Sequence, residues 1–130
     1  MVGSRLSTVV LVLALVALAV TTPTAAGQTL QWDRLWGGAY WDEAYGVAVS
    51  PDGKYAYVAG CTASFGAGGD AFLAKYSSTG SKVGDRLWGG TGLDVAFGVA
   101  VSPVGNYACI AGRTESFGAG GDAFLARYAA

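Results

Sequence analysis

The sequence predicts an all-β protein made of two similar antiparallel units that follow a removable N-terminal segment. Two observations support this prediction: a long internal repeat, and a composition rich in both glycine and aromatic residues. Residues 28–130 contain 19 of the 21 glycines and all 16 aromatic residues. Glycine at this frequency indicates many turns, and so many aromatic residues indicate a folded core rather than a disordered linker.

The first 27 residues have the features of a signal peptide. Arg5 supplies a positive start, and an unbroken apolar run of 12 residues extends from Val9 to Val20. Pro23 follows the run, and the small residues of 24–27 offer a cleavage site. A run of 12 residues is shorter than the roughly 20 that cross a bilayer. We therefore expect cleavage close to Ala26 and a secreted or cell-surface protein, with an uncleaved membrane anchor as the alternative.

An internal repeat with a period of 52 residues occupies most of the remaining chain, 28–130. Residues 33–78 align with 85–130 without a gap, and 32 of the 46 aligned pairs are identical. Such similarity requires both copies to adopt one structure, and it excludes two unrelated domains. We divide this part of the chain into repeats over 33–84 and 85–130.

Each repeat has the pattern of short strands separated by turns. Every apolar run is too short for a helix, and its β-branched and aromatic residues suit a pleated sheet. Ser50-Pro51-Asp52-Gly53 is a typical turn, because proline presets φ and glycine accepts a positive φ. The strands predicted in the first copy are Ala44–Ser50, Lys54–Thr62, Asp70–Tyr76 and Lys82–Trp88. Units of four antiparallel strands in tandem predict two four-stranded blades of a β-propeller.

The order of the predicted strands is out of step with the repeat. If the strands of a blade are named A to D from the inside outward, Trp32–Trp36 matches strand D, and the order becomes D-A-B-C-D-A-B-C. The first D and the last C, which ends at Tyr128, then have no partner in their own chain. Two blades form only a partial propeller, because a closed one needs about four to eight. We therefore expect head-to-tail association of three or four chains into a ring, or association with other propeller-containing chains.

Several spaced elements resemble a known family. Gly-Gly-Asp-Ala-Phe-Leu-Ala-Lys-Tyr at 68–76, Tyr-Gly-Val-Ala-Val at 45–49 and the repeated Leu-Trp-Gly-Gly are similar to the seven-bladed β-propeller repeat family of bacterial and archaeal secreted and surface proteins. The resemblance covers essentially all of 33–130. It implies the propeller fold and an extracellular location, and it implies no catalytic residues. Ser50 and Ser102 stand where the family commonly has aspartate, so no ion site is carried over.

Composition excludes several function classes. The chain has no histidine, which removes histidine metal sites and Ser-His-Asp or Cys-His catalysis. Residues 28–130 contain seven Lys and Arg against nine Asp and Glu, so no basic field exists for nucleic acid. Asp42-Glu43 is the only adjacent acidic pair, and nothing in the sequence sets the separation that a glycosidase needs. We predict a protein that is not an enzyme, with no metal and no cofactor.

Differences between the two copies indicate a candidate binding surface. Of 14 mismatched pairs, six fall in or beside the loops that a propeller places on one rim. The first copy has aromatic residues beside carboxylates there, a combination suited to sugar or peptide recognition. The candidate ligand-binding residues are Tyr40, Trp41, Asp42, Glu43 and Arg113. The alternative is that loops vary while the core is retained.

Four other residues are interpreted as structural. Trp36 and Trp88 lie within the predicted D strands, while Asp70 and Asp122 precede C strands, where an Asx-type hydrogen bond would satisfy loop amides. Cys61 and Cys109 are not equivalent in the repeat and belong to predicted B strands of adjacent blades, whose sheets would lie about 10 Å apart, beyond the reach of about 7 Å between the Cα atoms of a disulfide. We therefore expect two free thiols, with a disulfide between chains as the alternative.

These features favour a non-catalytic secreted or cell-surface propeller that scaffolds or binds a protein partner. A glycan-binding lectin assembled from two-blade chains is a second hypothesis. A remnant of a longer propeller protein, without independent function, is a third.

Overall fold

The computed structural model describes residues 27–130, which form an all-β structure. This part of the chain contains seven strands in two antiparallel sheets and no helix, so no helix within it is long and apolar enough to cross a membrane. The predicted signal peptide lies outside the described residues, apart from Gly27. The strands are β1 (Asp42–Val49), β2 (Tyr55–Thr62), β3 (Asp70–Ser77), β4 (Lys82–Trp88), β5 (Asp94–Val101), β6 (Tyr107–Thr114) and β7 (Asp122–Ala129).

The first sheet has the order β1-β2-β3-β4 and the second has the order β5-β6-β7. The all-β prediction is confirmed, and the predicted β4 matches the observed strand in both bounds. Strand β1 begins earlier than predicted, because Asp42 pairs with Thr62 and Glu43 with Cys61. The second sheet has three strands within the described residues rather than four, and its last strand, β7, is the one predicted to have no further partner in its own chain.

The two copies share one pairing register. Asp42 lies opposite Thr62 in the first sheet, and Asp94 lies opposite Thr114 in the second. Each copy also has an irregularity at the same place, between residues 44 and 46 and between residues 96 and 98. The strong sequence repeat is therefore a repeat of backbone structure as well.

The core lies between the two sheets, which pack face to face. The first sheet contributes one side of its central strands, and the second contributes the opposite side of its own. The buried residues of this cluster are Tyr57, Ala59, Ala71 and Leu73 from the first sheet and Ala96, Ala108 and Ile110 from the second. We call the side of a sheet that carries Leu73, or its equivalent Leu125, the trailing face. The other side, which carries Ile110 or its equivalent Val58, is the leading face.

The strand predicted over Trp32–Trp36 is not formed. The segment has no regular secondary structure, because no strand edge of the described chain pairs with it. It is held instead by side chains on the leading side of the first sheet. The indole N–H of Trp32 donates to the carbonyl of Ser78 (3.0 Å), and Nε of Arg34 donates to the carbonyl of Gly80 (2.7 Å).

Candidate functional site

The candidate site lies on a rim formed by the loops 37–41 and 89–93 together with the loops 63–69 and 115–121. Three hydrogen bonds join loop 37–41 to loop 63–69: the amide of Ala63 donates to the carbonyl of Trp41 (2.9 Å), the amide of Tyr40 donates to Oγ of Ser64 (3.0 Å), and that hydroxyl donates to the carbonyl of Tyr40 (3.2 Å). The second copy has the equivalent bond from Glu115 to Leu93 (2.9 Å). The loops before β1 and β5 are therefore each fixed to the loop beside them.

Asp42 is the centre of this loop attachment. Its carboxylate accepts hydrogen bonds from the hydroxyls of Thr62 and Ser64 and from the amide of Gly38. Burial opposes ionisation, but these hydrogen bonds outweigh it and hold the pKa of Asp42 below its ordinary value. Both carboxylate oxygens accept hydrogen bonds within the chain, so Asp42 fixes the loop in place, and its contact with a ligand stays a prediction.

Tyr40 and Trp41 are the exposed part of the same loop. Tyr40 is 71% exposed and Trp41 is 49% exposed. The Trp41 ring lies beside Gly69, where Leu93 of the second copy also approaches: a Cβ built on Gly69 would be 3.8 Å from the ring and 3.1 Å from Leu93 Cδ1. Trp41 is thus supported on one side and open to solvent on the rest of its surface.

Glu43 is engaged by its own strand. The phenol of Tyr45 donates a hydrogen bond to the Glu43 carboxylate, which raises the pKa of Tyr45 to about 12. Glu43 also lies opposite Cys61, a buried residue. Burial first, and the Glu43 charge second, raise the pKa of the Cys61 thiol. Both cysteines are free, and this thiol is not activated as a nucleophile.

Arg113 lies in the second sheet, away from the first loop in sequence and in its contacts. Its guanidinium forms an ion pair with Glu115 (2.6 Å) and lies next to Gly121. Gly121 is the repeat equivalent of Gly69, where Trp41 lies. The structure thus places Arg113 beside Glu115 and Gly121, and Tyr40 and Trp41 on another loop, so the binding role of the five candidates stays a prediction.

The residues interpreted as structural make repeated contacts. Trp36 stacks on Phe72 with ring centroids 4.0 Å apart, and Trp88 stacks on Phe124 at 3.9 Å. The amide of Ala67 donates to Oδ2 of Asp70 (2.9 Å), which is the loop hydrogen bond expected from the sequence. Asp122 takes the equivalent place beside Gly118.

Sequence reasoning missed the proximity of Asp70 and Asp94. Both are buried, and a Cβ at Gly89 would collide with both carboxylates. Burial and then the Asp94 charge raise the pKa of Asp70, against a lowering by the Ala67 amide. Asp94 is also opposed by burial, but hydrogen bonds led by the Ser116 hydroxyl hold its pKa below the ordinary value. The sequence did contain a signal for this contact, because Asp70 and Asp94 both begin strands at the same rim, one in each copy.

Residues 27–130 contain no group of three or more His, Cys, Asp and Glu side chains placed to hold a metal ion. Comparison with known proteins finds no family model that matches the sequence and no curated protein similar to it at a significant level.

Proposed function

We propose that this chain is a non-catalytic β-propeller repeat module, secreted or held at the cell surface, in which each sheet is one blade. Two features support the blade assignment. The strands of each sheet follow one another in chain order, and the two sheets repeat the same register and pack face to face. Tandem antiparallel units stacked in this way are the building plan of propellers.

The module binds its partner through Tyr40 and Trp41. This proposal depends on one observation: two adjacent aromatic side chains are exposed on a loop that several hydrogen bonds fix in place. Aromatic rings on a rigid backbone offer a large contact area at small cost in conformational entropy. The second copy has Gly92 and Leu93 at the equivalent positions, so the described part of the chain has one such aromatic pair.

A protein partner and a glycan are the two ligand classes to compare. Tyr and Trp are enriched at the centres of protein interfaces, which favours a protein or peptide ligand. The exposed Trp41 ring also suits stacking on the apolar face of a sugar, and this favours the lectin alternative. If the chain is a remnant without independent function, it binds neither class.

Binding of the purified chain to peptide and oligosaccharide arrays tests the proposal. We expect Trp41→Ala to lower affinity for the bound class about tenfold or more, equal to about 1.4 kcal/mol, without lowering the thermal midpoint. Val104→Ala is the matched control, since Val104 is 79% exposed and lies on the turn between β5 and β6, away from the rim. Unfolding of Trp41→Ala, or binding equal to that of the control, would contradict the proposal.

A further inference from the structure

The two sheets of one chain pack through one face of each. On each sheet the opposite face, which is the repeat equivalent of a packed face, has no sheet against it in the described structure. Inside the chain, the trailing face of the first sheet packs on the leading face of the second. The repeat then leaves two faces without a sheet to cover them in the described structure. These are the leading face of the first sheet and the trailing face of the second.

The trailing face of the second sheet carries residues whose equivalents are buried in the first sheet, but here they are exposed. Leu73 is 5% exposed in the internal contact, whereas its equivalent Leu125 is 74% exposed. The cation–π contacts also recur: Lys75 Nζ lies 4.0 Å from the ring centroid of Tyr55, and the Arg127 guanidinium carbon lies 3.8 Å from that of Tyr107. This face therefore presents the repeat equivalents of a face already used for packing, with Cys109 in place of Tyr57 and Arg113 in place of Cys61.

The leading face of the first sheet is exposed along its inner strand. Val47 is 70% exposed and Val49 is 60% exposed, whereas their equivalents Val99 and Val101 pack against the core between the sheets. A cleft of about 400 Å³ lies over this face, bordered by the segment 32–36. The segment covers the outer part of the face, as Trp88 of β4 covers the outer part of the second sheet.

The unpaired edge of β7 and the unpaired segment 33–36 are also the repeat equivalents of two strands that pair with each other, β3 and β4. Strand β7 pairs with β6 on one side, and the described chain places no strand on its other side. The segment 33–36 has the sequence Asp-Arg-Leu-Trp of 85–88 in β4, which pairs with β3 through Ala71↔Trp88 and Leu73↔Arg86. With the offset of 52, the equivalent pairs are Ala123↔Trp36 and Leu125↔Arg34. An unpaired edge of this kind favours strand addition.

We propose that the trailing face of the second sheet binds the leading face of the first sheet of a second copy of this chain. Segment 33–36 of that copy then becomes the fourth strand beside β7. A second copy fits this surface because the two uncovered faces are the repeat equivalents of two faces that already pack against each other within one chain. Such a contact is heterologous, so association continues head to tail until it closes. We expect closure at three or four copies. The proposal does not depend on the rim or its ligand.

Sedimentation velocity of the full chain at about 10 μM tests this association. We expect the wild type and Val104→Asp to sediment as assemblies of three or four copies, and Leu125→Asp to sediment as a folded monomer by circular dichroism. Val104 is the matched control because it is as exposed as Leu125, and the first copy has aspartate at the equivalent position, Asp52. A monomeric wild type, or assembly of Leu125→Asp equal to that of the control, would overturn the proposal.

Disulfide trapping tests the register separately. Arg34→Cys and Leu125→Cys are combined in a chain whose Cys61 and Cys109 are replaced by alanine. Under mild oxidation we expect covalent multimers on a non-reducing gel, and none from the control that combines Arg34→Cys with Val104→Cys. Multimers formed equally by both would overturn the proposed register. Both experiments are done without any ligand, so failure of this association is distinguishable from failure of the proposed function, which is read from the binding arrays.

Discussion

Trp36 lies flat on Phe72, with ring centroids 4.0 Å apart and planes inclined by 20°, although Trp36 belongs to no strand. Trp88, within β4, has the same relationship to Phe124 of the second sheet, at 3.9 Å and 13°. The N-terminal segment thus reproduces the side-chain contact of an outer strand without its backbone pairing. It covers the outer part of the first sheet's leading face.

The Trp36 contact predicts a measurable loss of stability on truncation. Trp36→Ala removes the stack on Phe72 and the indole hydrogen bond to Asp85 (2.8 Å). Because Trp36 is only half-buried, we expect a loss of about 2–4 kcal/mol in the free energy of unfolding, at or below the usual range for a buried tryptophan. Trp36→Phe keeps the stack and should lose about 1 kcal/mol. Urea unfolding measures both. Equal stability of Trp36→Ala and wild type would show that the segment does not cover the sheet.

The Asp70 carboxylate predicts a pH-dependent difference between two asparagine variants. Burial and Asp94 raise the pKa of Asp70 above its ordinary value of 3.8, so its ionised form is disfavoured in the folded state. The resulting penalty is absent below 3.8 and is fully present above the raised pKa. Asp70→Asn removes it, and the new amide can donate to Asp94. We expect the variant to be more stable than wild type by about 0.5–1.5 kcal/mol at pH 7.

The matched control for this prediction is Asp122→Asn. Asp122 is the repeat equivalent of Asp70 but is exposed, and no third copy places an aspartate against it in the described chain. Thermal unfolding between pH 3 and pH 7 is measured for both variants in the monomeric Leu125→Asp background, where no second copy brings Asp42 against Asp122. It should show the advantage of Asp70→Asn growing as pH rises, while Asp122→Asn shows no such trend. An advantage that is constant with pH would contradict the role assigned to the buried carboxylate pair.

Local signals predicted the strands well, because each strand is bounded by its own turn residues. The sequence Ser50-Pro51-Asp52-Gly53 marks the end of β1, and Gly53 has the positive φ of +71° that the turn requires. Strand β4 was predicted in both bounds for the same reason. Trp32–Trp36 has the same local pattern as β4 but is not a strand, since a strand also needs an edge to pair with. That edge is a property of the assembled sheet and not of the segment.

The candidate site was predictable only in part. Exposure of Tyr40 and Trp41 agrees with the sequence hypothesis, because loop residues that differ between copies face solvent. The internal bonding of Asp42 was harder to predict, since its partners Thr62 and Ser64 become neighbours only through strand pairing. The meeting of Asp70 and Asp94 depends on how two sheets stack, which no single repeat encodes.

The shared backbone irregularity predicts a strict requirement for glycine at one buried position. A Cβ at Gly60 would collide with the carbonyl oxygen of Glu43 on the neighbouring strand. Backbone cannot move aside as a flexible side chain can, so Gly60→Ala should cost about 1–3 kcal/mol or more in denaturant unfolding. Gly84→Ala is the control, since nothing lies within 4 Å of a Cβ there, and it should change stability by less than about 0.5 kcal/mol. Similar losses for both variants would contradict the shared register.

The predicted signal peptide gives a prediction for the mature protein. The apolar run ends at Val20 and small residues follow at 24–27, so we expect the exported chain to begin near Gly27 or Gln28. N-terminal sequencing of material from the producing cell's medium or surface measures this directly. Extracellular protein that begins at Met1 or Val2 would contradict cleavage.

Class-averaged electron micrographs of the purified full chain, recorded at the concentration used for sedimentation, test the propeller assignment most directly. We expect ring-shaped particles with six or eight radial units around a central opening, two units from each copy. Separate two-sheet particles, or stacks that do not close around an opening, would contradict it.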